Sequence, residues 1–253
     1  FMGWYRGGLV SNTRMTVQVV RKDFSKLSSG TSFASYYYLQ NAVALSNTQV
    51  LTCAENENAN PDNNRQFYLL NIDSSDEITA TQLNRVSKPY SLLAALSSTR
   101  LLFWDVNDAV LKRGELEDNT VTIYTTENTT NCTDVTAAVA FSSSRVLVID
   151  GGDSVVLLET TTGSVTELER YQPFGAGASL RLTLLDDDAA AIVGYNDNKL
   201  EVCGYSLSDG LTTNVTIFNG AVDKFEIGAV AGKPIVLYAE TNKSDGMSVL
   251  IDV

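Results

Sequence analysis

Val50, Leu101, Val146, Ala190 and Ile235 stand 51, 45, 44 and 45 residues apart, and each follows a short polar turn: SNT, SST, SSS, DDD or AGK. The stretch from Ser142 to Tyr171 shows what lies around such a position. It contains the runs RVLVI, SVVLLET and SVTELERY, separated by DGGD and TTG, and TAAVAF precedes it across the turn SSS. Valine, leucine, isoleucine and threonine fill the runs, while glycine, aspartate and threonine fill the turns, which reads as four consecutive antiparallel strands. A near-constant period of this length, with four strands in each unit, points to radial repetition of one β-meander. The longer first interval is taken up by the polar loop Glu55 to Asn64, which is rich in turn formers.

The other units follow the same plan. YYYLQNAVAL, QVLTCA, RQFYLLNI and ITATQLNRV form the first, YSLLAAL, RLLFWDV, AVLKRGEL and TVTIYTT the second. SLRLTLL, AAAIVGY, KLEVCGY and TNVTIFN form the fourth, whereas the fifth has only KFEIGAV, PIVLYAE and MSVLIDV. Over about residues 15 to 253 the chain resembles the β-propeller superfamily. No WD dipeptide stands in register and no double glycine recurs in each unit, so the resemblance implies an architecture and carries no catalytic residues across. The expected fold is all-β: a five-bladed β-propeller of four-stranded antiparallel blades, at about 35–87, 88–132, 133–175, 176–220 and 221–253. Met15 to Arg21, MTVQVVR, alternates apolar and polar residues as a half-buried strand does. It is expected to supply the strand missing from the last blade and so close the ring; a six-bladed ring and an open stack of sheets are the alternatives.

Composition narrows the chemistry. The chain has 253 residues, a net charge of −12 and no histidine. Its acidity disfavours nucleic-acid phosphates, and the missing histidine removes the commonest general base and metal ligand at neutral pH. No apolar run approaches the length of a membrane span. The opening residues carry no charged segment followed by an apolar one, as expected of a mature or trimmed product. Asp150 with Asp153, and the turn Asn196-Asp197-Asn198, offer oxygen ligands but match no spaced calcium loop, and Asp186-Asp187-Asp188 reads as a hairpin tip. No cofactor and no metal are expected.

In a propeller the first strand of each blade faces the central axis. Those strands bring only Glu226, with Asp134 and Asp223 just before theirs, among walls of Ala, Val, Leu and Phe. Glycoside hydrolysis needs two carboxylates flanking the scissile bond, so the chain is expected not to be an enzyme. The leading residues of the same strands share one rim: Tyr36, Tyr37, Tyr38, Tyr90, Asp134, Arg181, Lys224 and Glu226. Tyrosines beside an arginine and a lysine suit a sugar, a peptide or a partner loop; structural capping by the tyrosines is the competing reading.

Four glycosylation sequons begin at Asn128, Asn131, Asn214 and Asn242, about as many as the composition gives by chance, and none lies on an inner strand. Cys53 and Cys132 are a candidate disulfide, and Cys203, in an apolar strand, reads as a buried thiol. Residues 1–14 form an arm outside the repeats, whose Phe1, Met2, Trp4 and Tyr5 need a partner surface. Either the arm covers its own propeller or it docks on another copy. The primary expectation is a non-catalytic structural protein, extracellular or on the cell surface, that self-assembles into a filament or coat through this arm and the blade edges. Its partners would be copies of itself, with glycans or another surface protein as further candidates and no nucleic acid or membrane insertion. The alternative is a lectin-like or protein-binding propeller using the tyrosine-rich rim, and a glycoside hydrolase is the second alternative.

Overall fold

Four of the five repeats open on the same capped turn. The side chain of Ser46 accepts a hydrogen bond from the amide two residues on, and those of Ser97, Ser142 and Asp186 accept from the amides two and three residues on, at 2.8–3.3 Å. A short acceptor at the head of the turn satisfies amides that the hairpin leaves unpaired, which is why serine or aspartate recurs there. Asp186 is thereby a turn residue, as read from the sequence.

The computed structural model describes residues 2–4, 14–18, 31–35, 37–56, 65–75, 77–86, 90–230, 232–241 and 246–250. These form 24 strands in six sheets, with no helix among the described residues. The chain divides into two units, Phe1–Thr125 and Thr126–Val253.

The first unit holds three sheets. The sheet nearest the N-terminus runs β1 (Met2–Trp4), β2 (Arg14–Gln18), β3 (Thr31–Ser35). The next is β4 (Tyr37–Ala44), β5 (Gln49–Asn56), β6 (Arg65–Ile72), β7 (Ile78–Val86), and the third is β8 (Tyr90–Ala95), β9 (Arg100–Asp105), β10 (Val110–Glu117), β11 (Thr120–Tyr124). Here the expected ring closure needs correction. β2 is flanked by β1 on one edge and β3 on the other, so its described residues have no edge left for the last blade.

In the second unit, β13 (Val135–Ala140), β14 (Arg145–Asp150), β15 (Ser154–Thr160) and β16 (Ser164–Tyr171) form the expected meander. A fifth strand, β12 (Glu127–Thr129), joins it in parallel along β16, a pairing that the polar sequence ENT does not announce. The fourth repeat gives β17 (Ser179–Leu184), β18 (Ala189–Asn196), β19 (Lys199–Ser206), β20 (Gly210–Leu211) and β21 (Val215–Asn219), with both of the last two on β19. The fifth gives β22 (Val222–Val230), β23 (Lys233–Glu240) and β24 (Gly246–Leu250), three strands as expected.

Middle strands are apolar on both faces because sheets stack on both sides of them. Val146, Leu147, Val148 and Ile149 of β14 are all buried. Leu147, Ile149 and Leu157 pack against Leu180, Ile192 and Cys203 of the next sheet, while Val193, Leu200 and Val202 on its other face pack against Phe225, Val236 and Tyr238. In the first unit, Leu51, Cys53 and Phe67 meet Leu101 and Phe103, and Val50, Leu70 and Ile78 fill a separate cluster. Each fully buried aliphatic side chain stabilises by roughly 1.5–3 kcal/mol relative to exposure. One contact admits only glycine: a Cβ on Gly194 would lie 2.1 Å from the ring of Phe174. The turns at Asp118-Asn119 and Asp197-Asn198 have positive φ at both residues, as two-residue hairpins of right-twisted strands require.

Candidate ligand-binding site

In the second unit the leading strands β13, β17 and β22 lie side by side. Their alternation sorts the residues. Ala137, Val139, Leu180, Leu182, Phe225 and Ile227 turn into the sheet–sheet cores. Thr136, Ser179, Arg181, Lys224 and Glu226 are left exposed. The expected lining of Ala, Val, Leu and Phe is therefore replaced by a polar strip, because those apolar residues are consumed in packing sheet on sheet. A cleft of ≈ 420 Å³ opens between β13 and β17, lined by Thr136, Ala137, Gly152, Ser179, Leu180 and Arg181. That volume lies within the usual range for small-ligand sites.

Arg181 organises one end of the cleft. Its Nη1 donates to the Leu180 carbonyl at 2.7 Å, the guanidinium sits 5.3 Å from the Phe225 ring centroid, and Nε lies 3.5 Å from Glu226 Oε1. The backbone and ring contacts fix where the planar group points.

The opposite wall is held by a charged node that the sequence reading did not assemble. Asp150, at the end of β14, accepts hydrogen bonds from the amides of Thr133 and Asp134 at 2.8 Å each and from Arg170 Nη1 at 2.7 Å. Arg170 also donates to Glu167 at 2.9 and 3.0 Å, and Glu167 accepts from the Asn131 amide at 3.0 Å. These bonds tie the connector from Asn131 to Asp134 onto the sheet, and that connector leads directly into Thr136 and Ala137. Burial alone would raise the Asp150 carboxyl; the Asp134 amide, Arg170 and the Thr133 amide outweigh it and hold the group below the ordinary carboxylate value. Glu167 is lowered as well, first by Arg170. Burial, reinforced by the Asp150 charge, pushes the neighbouring Cys132 thiol up to about 11, which keeps it protonated and unreactive. The 45-residue spacing from Asp105 to Asp150, both ending the second strand of a repeat, is the sequence signal that points to this position.

Of the eight predicted rim residues, Arg181 and Glu226 meet in the structure. Asp134 and Lys224 are exposed on the same leading strands or just before them. Tyr90 belongs to the first unit, where Lys112 Nζ lies 5.1 Å from its ring centroid and Arg65 donates to its carbonyl. The backbones of Tyr37 and Tyr38 pair with Asn56 and Glu55, and Tyr36 lies outside the described residues. In the arm, Met2 and Trp4 are in β1, paired to β2, while Phe1 and Tyr5 lie outside the described residues. Cys53, Cys132 and Cys203 are all buried and none is joined in a disulfide, which corrects the expected Cys53–Cys132 bridge. Cys53 instead packs in the core with Leu51, Phe67 and Phe103. Among the sequons, the Asn128 side-chain oxygen accepts from the amide and hydroxyl of Thr130, Asn131 is exposed, and Asn214 Nδ2 donates to the Pro173 carbonyl at 2.7 Å. Asn242 lies outside the described residues.

The fold defined by these sheets is all-β and propeller-like. No family model matches the chain, and neither does any curated protein. Solved structures do. A triple arginine-to-alanine variant of AofleA from Arthrobotrys oligospora is similar at 10% identity and a TM-score of 0.61, over 88% of this chain and 73% of that one. A protein from Lactobacillus plantarum is similar at 14% identity and a TM-score of 0.60, over 99% and 80%. A candidate 6-phosphogluconolactonase from Bacteroides fragilis is similar at 10% identity and a TM-score of 0.57, over 94% and 76%. Likenesses of this size establish the fold alone. The primary functional expectation is corrected: β1 of the supposed docking arm is already paired within its own chain, and none of these three neighbours is described as a filament or coat subunit. The self-assembly reading is set aside.

Proposed function

We propose that this chain is a non-catalytic, lectin-like recognition protein that takes its ligand in the cleft between β13 and β17. The observation carrying this reading is the exposed polar strip of Thr136, Ser179, Arg181 and Glu226 around a cleft backed by Ala137 and Leu180. Hydroxyls, a guanidinium and a carboxylate over a small apolar backing match a sugar, which offers many hydroxyls and a C–H face. Glu226 faces Arg181 across the strip, an arrangement for holding a ligand rather than for flanking a scissile bond with two carboxylates.

A glycan array probed with the purified chain tests the proposal. Binding to a subset of glycans is expected, with at least a tenfold loss in Arg181→Ala while thermal unfolding is unchanged. Absence of binding to any glycan, or binding that Arg181→Ala leaves intact, would contradict it.

A further inference from the structure

We propose that the cleft selects a neutral saccharide, two adjacent hydroxyls of which enter between Arg181 and Glu226, and that this couple sets the specificity; the proposal rests on the lectin-like reading above. Three observations lead there.

The first is that the couple is loose while Arg181 itself is fixed. The Nε–Oε1 separation is 3.5 Å and the two side chains are 46% and 69% exposed. An exposed pair at that distance contributes little to stability, so ligand oxygens can replace the direct contact at small cost. The guanidinium nevertheless keeps its direction through Leu180 and Phe225. Pre-orientation of this kind reduces what a ligand must order on binding.

The second is the supply of uncommitted polar groups. Among the described residues, Arg181 Nη2 and the hydroxyls of Thr136 and Ser179 carry no side-chain hydrogen bond, and all three belong to the cleft lining. At Gly152 (φ +83°), nothing lies within 4 Å of where a Cβ would stand, so that wall is open.

The third is the balance of sign. Arg181 only donates and an ionised Glu226 only accepts, whereas a hydroxyl does both. Adjacent hydroxyls can therefore accept from Arg181 and donate to Glu226 together. A uronate or a phosphorylated sugar would be drawn to Arg181 but would set its charge against Glu226, within a chain of net charge −12. Like charges brought together discriminate against the wrong partner.

The test is calorimetric titration of the full chain with methyl glycosides of galactose, mannose and glucose, with galacturonate and glucuronate glycosides, and with single-deoxy analogues of whichever neutral glycoside binds. One neutral glycoside is expected to bind at least fivefold tighter than its uronate counterpart and to lose tenfold or more when one of two adjacent hydroxyls is deleted. Glu226→Gln should erase the preference over the uronate, and Arg181→Gln should weaken both by tenfold or more. Both residues are exposed, and circular dichroism melts of each variant check that it folds as the unaltered chain does. A uronate that binds the unaltered chain as tightly as its neutral parent, or a preference unmoved by Glu226→Gln, would overturn this inference and leave the lectin-like reading standing. Absence of saccharide binding altogether would overturn both.

Discussion

Asp105 and Asp150 occupy the same place in consecutive repeats, 45 residues apart at the end of the second strand, yet they hold different things. Asp105 folds back on its own hairpin, accepting from the amides of Asn107 and Asp108 at 3.1 and 3.2 Å and pairing with Lys112 one strand away. Asp150 reaches outward, to a connector that precedes its sheet and to Arg170 two strands away. In the fourth repeat the second strand runs two residues past the equivalent position, Gly194, and ends at Asn196, whose Nδ2 donates to the Phe174 carbonyl at 3.0 Å and so also holds the incoming connector, without charge. The difference teaches that a repeat conserves a geometric opportunity, a polar side chain at a strand end, while its neighbours decide whether it caps a local turn or anchors the wall of a site.

Replacing each aspartate should expose that division. Asp150→Ala leaves Arg170 with Glu167 as its one carboxylate partner and strands two amides, a change expected to cost about 3 kcal/mol, the low end of what breaking a buried pair costs because Arg170 is partly exposed. Asp105→Ala is expected to cost about 1–2 kcal/mol, since the turn amides it releases can be hydrated and Lys112 retains Asp108. Urea unfolding of the two variants measures both. Saccharide affinity should fall with Asp150→Ala alone, because only that residue positions the connector into Thr136. Equal losses of stability and equal affinities would erase the distinction.

Acid gives a smaller and more graded version of the same comparison. Asp150 and Glu167 have folded-state pKa values below their ordinary ones, so their contribution is fully present above those ordinary values and is lost as pH falls through the folded ones. Stability should therefore decline below about pH 4, where unfolded carboxylates begin to take up protons. In Asp150→Asn the decline should be shallower, since one group that binds its proton only on unfolding is gone. An unchanged slope in a pH series of urea melts would show that the node carries no linked proton.

Much of the fold could be read from the chain because its signals are local. The turn acceptors Ser46, Ser97, Ser142 and Asp186 lie within three residues of the amides they bind, and the apolar runs between them match the buried middle strands. Pairings across distance were not legible. β2 reads as a half-buried strand whichever partner it takes, and nothing in MTVQ separates β3 from the last blade. β12 has no apolar pattern, and Asp150 finds Arg170 only once β15 is laid between their strands. The site was partly legible: Arg181 and Glu226 stood among the predicted rim residues, whereas Thr136 and Ser179 are short polar residues that emerge only when the strand alternation is fixed. Cys53 and Cys132 misled because burial, which makes a good thiol core residue, looks from the sequence like an opportunity for pairing.

The central claim is recognition at the β13–β17 cleft, and amide chemical-shift mapping tests it most directly. A 15N-labelled chain titrated with the methyl glycoside that binds should show its largest saturable shifts at Thr136, Ala137, Gly152, Ser179 and Arg181. Shifts centred elsewhere, or none on addition of glycosides at millimolar concentration, would contradict it.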